Sequence, residues 1–160
     1  MAEDGAMKKK FDRWHPRLND SSSDVREKAA EELVTVANSG GSVVPAALAA
    51  LADALNALKK GDEDDYSCSN LLGALNDLEP EVMAKSTVLL DALMSAPLEN
   101  EYAASRLMAI LWHLLESGAM KLGHNSAHAV VKRAASVAKL AHQGGRRDAL
   151  QIIDWGEDNL

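Results

Sequence analysis

The sequence predicts an all-α fold, an α-solenoid-like stack of about four antiparallel helix pairs. Three observations lead to this prediction: the apolar composition, the helical spacing of the apolar residues and the recurrence of one pattern. Hydrophobic residues make up 47% of the chain and aromatic residues only 4%. Alanine and leucine supply most of the apolar content, which favours helices over strands. Breaker and cap residues divide the chain into blocks, and each block has apolar residues at helical spacing.

The clearest block is DVREKAAEELV, residues 24–34. Ser23 or Asp24 is expected to cap this helix, and only Asp24 has the capping-box spacing to Glu27. The apolar residues of the block fall at i, i+4, i+8 and i+11, on one face of a helix: Val25, Ala29, Leu33 and Val36.

The same apolar spacing recurs in copies that begin at Ser67, Ala103 and Gly145. A period of about 40 residues is typical of stacked helix pairs. A second helix is predicted ahead of each later copy, at residues 44–59, 81–94 and 126–141. The matching apolar positions are Ala29, Ala30, Leu33 and Val36, then Leu71, Leu72, Leu75 and Leu78, then Leu107, Met108, Leu111 and Leu114, then Ala149, Leu150 and Ile153, with Gly156 in the last place.

A compact multi-helix bundle is the alternative architecture, and the unequal intervals between the copies are compatible with either one. In either architecture we predict one domain over residues 11–160. Residues 1–10 are predicted to be a disordered N-terminal segment or a remnant of cloning, with Met7 as a possible natural start. Pro16 predicts that the helix before the first copy is irregular. Trp14 and Trp155 are expected to cover the two ends of the stack.

One stretch of the chain resembles a known repeat family. In LNDSSSDVREKAAEELVTVA, a turn with an aspartate is followed by Val-Arg, a pair of small residues and a leucine: Asp20, Val25, Arg26, Ala29, Ala30 and Leu33. This stretch, about residues 17–37, is similar to the HEAT/armadillo-like helical repeat family. The resemblance implies a curved stack of helix pairs, which that family uses mostly as a protein-binding scaffold. The second and third copies depart from it, with Ser67-Cys68 and Ala103-Ala104 in place of Val-Arg.

The net charge of the chain limits the kinds of macromolecule that it is expected to bind. Its net charge is -7 at pH 7, which argues against binding nucleic acid or an anionic membrane with the whole surface. Acidic residues predominate over positions 53–116 and basic residues over positions 117–147. We therefore predict two separate surfaces, an acidic one for a basic partner and a basic one for an acidic protein or a phosphate backbone.

No motif in the sequence predicts an enzyme, a metal or a cofactor. The acidic run at residues 62–65 lacks the alternating ligands and the central glycine of an EF-hand. His124 and His128 have no cysteine or carboxylate nearby in sequence that would complete a metal site. Cys68 lies in no nucleophile motif, and a single cysteine favours a reducing compartment. We expect a cytoplasmic protein without a membrane span.

The functional hypothesis is a non-catalytic protein–protein interaction module. An antitoxin- or immunity-type inhibitor of a basic partner is one alternative. A nucleic-acid-binding HEAT-like domain is a less favoured one, supported only by Lys132, Arg133, Arg146 and Arg147. Trp112 lies outside the apolar arc of its helix, so it is either packed against a neighbouring repeat or an exposed anchor. The predicted partner-binding residues are Asp62, Glu63, Asp64, Asp65, Asp77, Arg106, Trp112, His113, Arg146 and Arg147.

Overall fold

The computed structural model describes residues 2–59, 66–98, 100–119, 124–138 and 143–160. Over these residues the protein is helical and contains no strand, so the prediction of an all-α fold is confirmed. A short 3-10 turn, His15–Asn19, follows the first helix. The α-helices are α1 (Ala2–Trp14), α2 (Ser23–Asn38), α3 (Val44–Asn56), α4 (Ser67–Leu75), α5 (Pro80–Ala84), α6 (Thr87–Met94), α7 (Glu101–Glu116), α8 (His124–Val137) and α9 (Gln143–Asn159).

The helices contact one another in two rows. The first row is α1, α2, α4, α7 and α9, in which each helix packs against the next. The second row is α3, α6 and α8. The rows are joined by contacts of α2 with α3 and of α8 with α9. The recurring apolar pattern falls on α2, α4, α7 and α9, so the copies lie side by side. A stack of helix pairs and a compact bundle both accommodate this order of contacts.

Helices α2 and α4 run in the same direction. Ser23 and Ser67, in their first turns, line the same small cavity. The side chain of Asn38, the last residue of α2, bonds to the segment that follows α4. Its Nδ2 donates to the carbonyl oxygen of Asp77 at 3.0 Å, and its Oδ1 accepts from the backbone N–H of Glu79 at 3.0 Å. The start of α2 therefore lies near the start of α4, and the end of α2 lies near the segment that follows α4.

Residues next to the start of α2 cap the helix and hold the turn ahead of it. The cap is Ser22, not residue 23 or 24 as predicted, because Ser22 Oγ accepts a backbone N–H of the first turn at 3.5 Å. Arg26 Nη1 donates to the carbonyl oxygen of Asp20 at 2.7 Å and to the next carbonyl at 3.1 Å. Asp20 Oδ1 in turn accepts from the Ser22 N–H at 2.9 Å. The aspartate and arginine thus hold the turn ahead of the helix.

The helix predicted at residues 81–94 is in fact two helices, α5 and α6. The break falls at Ser86, which caps α6 by accepting the Leu89 N–H at its Oγ at 3.2 Å. A serine hydroxyl competes with the helical hydrogen bonds of the backbone, and apolar spacing alone does not reveal this. The helix predicted at residues 44–59 ends at Asn56, and the helix predicted at 126–141 is described as His124–Val137.

The apolar positions of the first three copies are buried, except Val25, which is half-buried. The fourth copy differs from the prediction. Leu150 is 53% exposed, and Ile152 is fully buried in place of Ile153, which is only half-buried. Gly156 is buried as well and lies against Val131 of α8. Helix α9 therefore turns a narrower face towards its neighbours than the pattern predicts.

Residues 2–10, for which the sequence predicted a disordered segment or a remnant of cloning, form the first part of α1 in the structure. Met7, Phe11 and Trp14 follow one another at helical spacing and pack against the core. Asp4 Oδ1 accepts from the backbone N–H of Ser42, just ahead of α3, at 3.0 Å. None of the described helices combines the length and the apolar character that a membrane crossing requires.

Glu32 of α2 forms ion pairs with one lysine of α1 and one lysine of its own helix. Its carboxylate oxygens lie 3.0 Å from Lys10 Nζ and 2.9 Å from Lys28 Nζ. Hydrogen bonds from Lys28 and Lys10 hold the pKa of Glu32 below its ordinary value of 4.5. A carboxyl group whose pKa is lowered by folding adds stability above its unfolded pKa. That stability is lost as the pH falls through the folded pKa.

We expect Glu32→Gln to lower the midpoint of urea unfolding at neutral pH. The difference from wild type should shrink as the pH falls from about 5 to about 3, where the wild-type carboxylate becomes protonated. Circular dichroism in a urea series at several pH values measures both effects. Glu31→Gln is the matched control, because Glu31 is exposed and forms no ion pair within the described residues. The same pH dependence in both variants would contradict the role of Glu32.

Candidate functional site

The predicted partner-binding residues do not form one continuous site. Residues 62–65 lie outside the described residues. Arg146 and Arg147 are exposed in the first turns of α9. The others are on or near the line where α4 meets α7. We call this exposed strip the α4–α7 seam and define it by six residues: Tyr66, Asn76 and Asp77 beside α4, and Tyr102, Arg106 and His113 on α7.

An exposed aromatic pair marks one end of the α4–α7 seam. The rings of Tyr66 and Tyr102 have centroids 6.1 Å apart and are tilted by 49°. The two tyrosines are 47% and 48% exposed. Sequence analysis missed this pair, although a signal for it exists. Each tyrosine stands immediately before a copy of the apolar pattern, and equivalent positions on neighbouring helices lie side by side.

Arg106 ties α7 to α4 beside the aromatic pair. Its Nη1 donates to the carbonyl oxygen of Ser69 at 2.8 Å. The guanidinium group lies against Gly73, where any side chain would collide with it. Arg106 is nevertheless exposed, one turn after Tyr102 on the same helix. It therefore has a structural role and still contributes charge to the surface of the seam.

The other end of the seam is polar. The carbonyl oxygen of Asp77 accepts a hydrogen bond from Asn38 Nδ2, and the residue is exposed. His113 is also exposed, and it lines a hollow of about 10 Å³ together with Asn76 and Met83. A hollow of this size holds at most one water molecule. The polar end is therefore a surface for contact and not a ligand pocket.

Two of the residues that were predicted to bind a partner or nucleic acid are engaged in packing. Trp112 is half-buried and packs against the core, so the packing alternative holds and Trp112 is not an exposed anchor. Arg133 Nη2 donates to the carbonyl oxygen of Ala96 at 2.7 Å, and burial lowers the pKa of Arg133. Arg133 therefore joins α8 to the end of α6 and does not belong to an open basic surface.

The described residues contain little that suggests catalysis. No group of three or more His, Cys, Asp or Glu side chains among them is placed to hold a metal ion. Cys68 is fully buried in α4 and so has no access to a substrate in solution. An open groove of about 730 Å³ runs between the start of α3 and the segment of α5 and α6. Its walls carry Glu81, Lys85 and Val88, without a convergent set of reactive groups.

Comparisons with protein-family models, with curated proteins and with solved structures find no match for this chain.

Proposed function

We propose that this protein is a non-catalytic protein-binding module and that its contact face is the α4–α7 seam. The observation that carries the proposal is the exposed pair of Tyr66 and Tyr102. Tyrosine suits an interface because its ring is apolar and its hydroxyl bonds to polar groups. Tyr, Trp and Arg also supply most of the residues that dominate binding energy. The seam has two tyrosines and Arg106 at one end.

The surroundings of the aromatic pair support a polar or basic partner. A polar rim around an aromatic centre is the usual anatomy of a protein interface. Asp77 and His113 supply polar groups on one side of the pair, at the far end of the seam. In sequence, the acidic residues 62–65 directly precede Tyr66. A basic protein is therefore the expected partner, as it is for an inhibitor of the antitoxin or immunity type.

The arrangement of the helices supports the same proposal. We propose that the two rows are a short helical-repeat stack, because equivalent positions of the copies are neighbours and α2 and α4 run in the same direction. The exposed sides of stacked helices form one extended surface in repeat proteins. An ordinary interface covers about 800 Å² on each partner. A contact of that size would extend beyond the six residues of the seam along the exposed sides of α4 and α7.

Affinity capture from a lysate of the source cells, with quantitative mass spectrometry, tests this proposal. We expect wild type to retain one stoichiometric protein partner. The double variant Tyr66→Ser, Tyr102→Ser should retain at least about 10-fold less of this partner. Truncation of an aromatic anchor costs about 2 kcal/mol or more of binding free energy. The matched control is the double variant Val88→Ser, Leu150→Ser, which removes two equally exposed apolar residues from α6 and α9.

Two results would contradict the proposal. One is equal retention of the partner by the tyrosine variant and the control variant, which would place the contact elsewhere. The other is the absence of any stoichiometric partner. Circular dichroism of both variants checks that the helices are intact, and titration with the purified partner then gives the change in dissociation constant.

A further inference from the structure

A basic surface lies at the far end of the first row from α9, on α1 and the 3-10 turn. Within residues 8–17 the chain has five lysines and arginines and a single acidic residue. This balance is opposite to the net charge of -7 for the whole chain. Because α1 packs mainly against α2, and α2 lies between α1 and α4 in the row, this surface is separate from the α4–α7 seam.

Part of this positive charge is not neutralised by ion pairs with carboxylates. Lys8 pairs with Asp12 at 3.2 Å, and Lys10 pairs with Glu32 at 3.0 Å. Three other basic residues are exposed and have no carboxylate within ion-pair distance in the described part of the chain. They are four residues apart in sequence, two on α1 and one on the 3-10 turn that follows it: Lys9, Arg13 and Arg17.

Aromatic rings are interleaved with these charges. The guanidinium carbons of Arg13 and Arg17 lie 5.1 and 5.0 Å from the centroid of the Trp14 ring. This cation–π contact brings two like charges together on one support. The rings of Phe11 and His15 stack with centroids 4.8 Å apart and an angle of 18°. His15 is exposed, so it presents a planar surface on the rigid support of Phe11.

The orientation of α1 decides between the classes of anionic partner. A helix that lies on a membrane buries its apolar face in the bilayer. In α1 the apolar residues Met7, Phe11 and Trp14 pack against the core of the protein instead. An acidic peptide matches the charges but offers His15 a planar ring only where it carries an aromatic residue. A single-stranded nucleic acid has both phosphates for the basic side chains and bases that stack on aromatic rings.

We propose that α1 and the 3-10 turn bind single-stranded nucleic acid, with phosphates at Lys9, Arg13 and Arg17 and a base stacked on His15. The acidic character of the rest of the chain limits the contact to this face. At physiological salt, charges separated by more than about 8 Å are largely screened from each other. This site lies outside the basic segment at residues 117–147. The proposal does not rest on the protein-binding role of the α4–α7 seam.

Fluorescence polarisation with a labelled oligouridylate of about 12 nucleotides tests the proposal. The triple variant Lys9→Gln, Arg13→Gln, Arg17→Gln should bind at least 10-fold more weakly. Its slope of log affinity against log salt should fall in magnitude by about 2, because three phosphate contacts are lost. The control triple variant Lys85→Gln, Lys132→Gln, Arg147→Gln removes the same charge from exposed positions elsewhere and should keep the wild-type slope.

A second comparison separates stacking from charge. His15→Ala should weaken binding of oligouridylate about 5-fold and leave binding of inorganic polyphosphate unchanged. This comparison does not disturb Trp14, so it holds even where the triple variant loses helicity. The variant Tyr66→Ser, Tyr102→Ser should bind oligouridylate as wild type does, which separates this proposal from the protein-binding one.

Several results would overturn the proposal. One is a failure of wild type to bind oligouridylate. Another is an equal loss of affinity in both triple variants. A third is wild-type affinity of His15→Ala for oligouridylate. A fourth is an equal loss of affinity of His15→Ala for oligouridylate and for polyphosphate. Polyglutamate or phosphatidylserine vesicles would bind at least as tightly as oligouridylate at the same salt concentration, which would assign the surface to an acidic protein or to a membrane.

Discussion

Leu72→Ala is expected to lower the free energy of unfolding by about 2–5 kcal/mol. Leu72 is fully buried in α4, in the middle of the first row of helices. Its truncation removes apolar contacts and leaves a cavity that packed neighbours fill only in part. A domain of ordinary stability unfolds with about 5–15 kcal/mol, so the variant should lose a large share of its stability. Urea unfolding followed by circular dichroism measures the loss.

Leu150→Ala is the matched control for this prediction. Leu150 has the same place in the fourth copy of the apolar pattern that Leu72 has in the second. It is nevertheless 53% exposed on α9, and we expect a change within about 0.5 kcal/mol. A loss at Leu150 as large as that at Leu72 would contradict the placement of α9. A negligible loss at Leu72 would contradict its burial.

The contrast between these leucines shows what apolar spacing predicts and where it fails. Ala30 has the same place in the first copy and lines a cavity with Ser67 and Leu71 of α4. This position of the pattern therefore faces the next helix in the row. In the described part of the chain no helix follows α9 in the row, so Leu150 faces solvent. Periodicity predicts which residues share a helix face, but the neighbours of that face depend on the place of the helix in the row.

The same argument explains the candidate site. Sequence reasoning identified Arg106, His113 and Asp77 from the pattern within single segments, and the structure places all three along one seam. It missed Tyr66 and Tyr102, because a helical wheel relates residues within one helix and not between two. Aligning the copies predicts the pair, because equivalent positions on adjacent helices become neighbours.

The packing position of the N-terminal helix could not be predicted from local sequence. Its position depends on tertiary contacts: Lys10 with Glu32, and Asp4 with the backbone of Ser42. Each pairs residues that are distant in sequence, and no periodicity relates them. The basic and aromatic surface on α1 depends on the same packing, because Trp14 faces inward while Arg13 and Arg17 lie over its ring.

Gly145→Ala is expected to destabilise the protein, although alanine is the better helix former. A Cβ atom at Gly145 would lie 2.5 Å from Ser105 Cα, a backbone atom of α7 that cannot rotate away. Helix α9 would have to move off α7 to relieve this contact. Such overpacking costs about 1–3 kcal/mol, which exceeds the gain of about 0.5–1 kcal/mol from replacing a helical glycine by alanine. The net change should therefore be a loss of stability.

Gly5→Ala is the control with the opposite expected sign. Gly5 lies within α1, and no atom comes within 4 Å of a Cβ placed there. The substitution should raise the free energy of unfolding by up to about 1 kcal/mol, because it restricts the unfolded chain without cost to the fold. Both variants belong in one urea series. Stabilisation by both would mean that α9 lies further from α7, and the close approach of the two helices at Gly145 would be wrong.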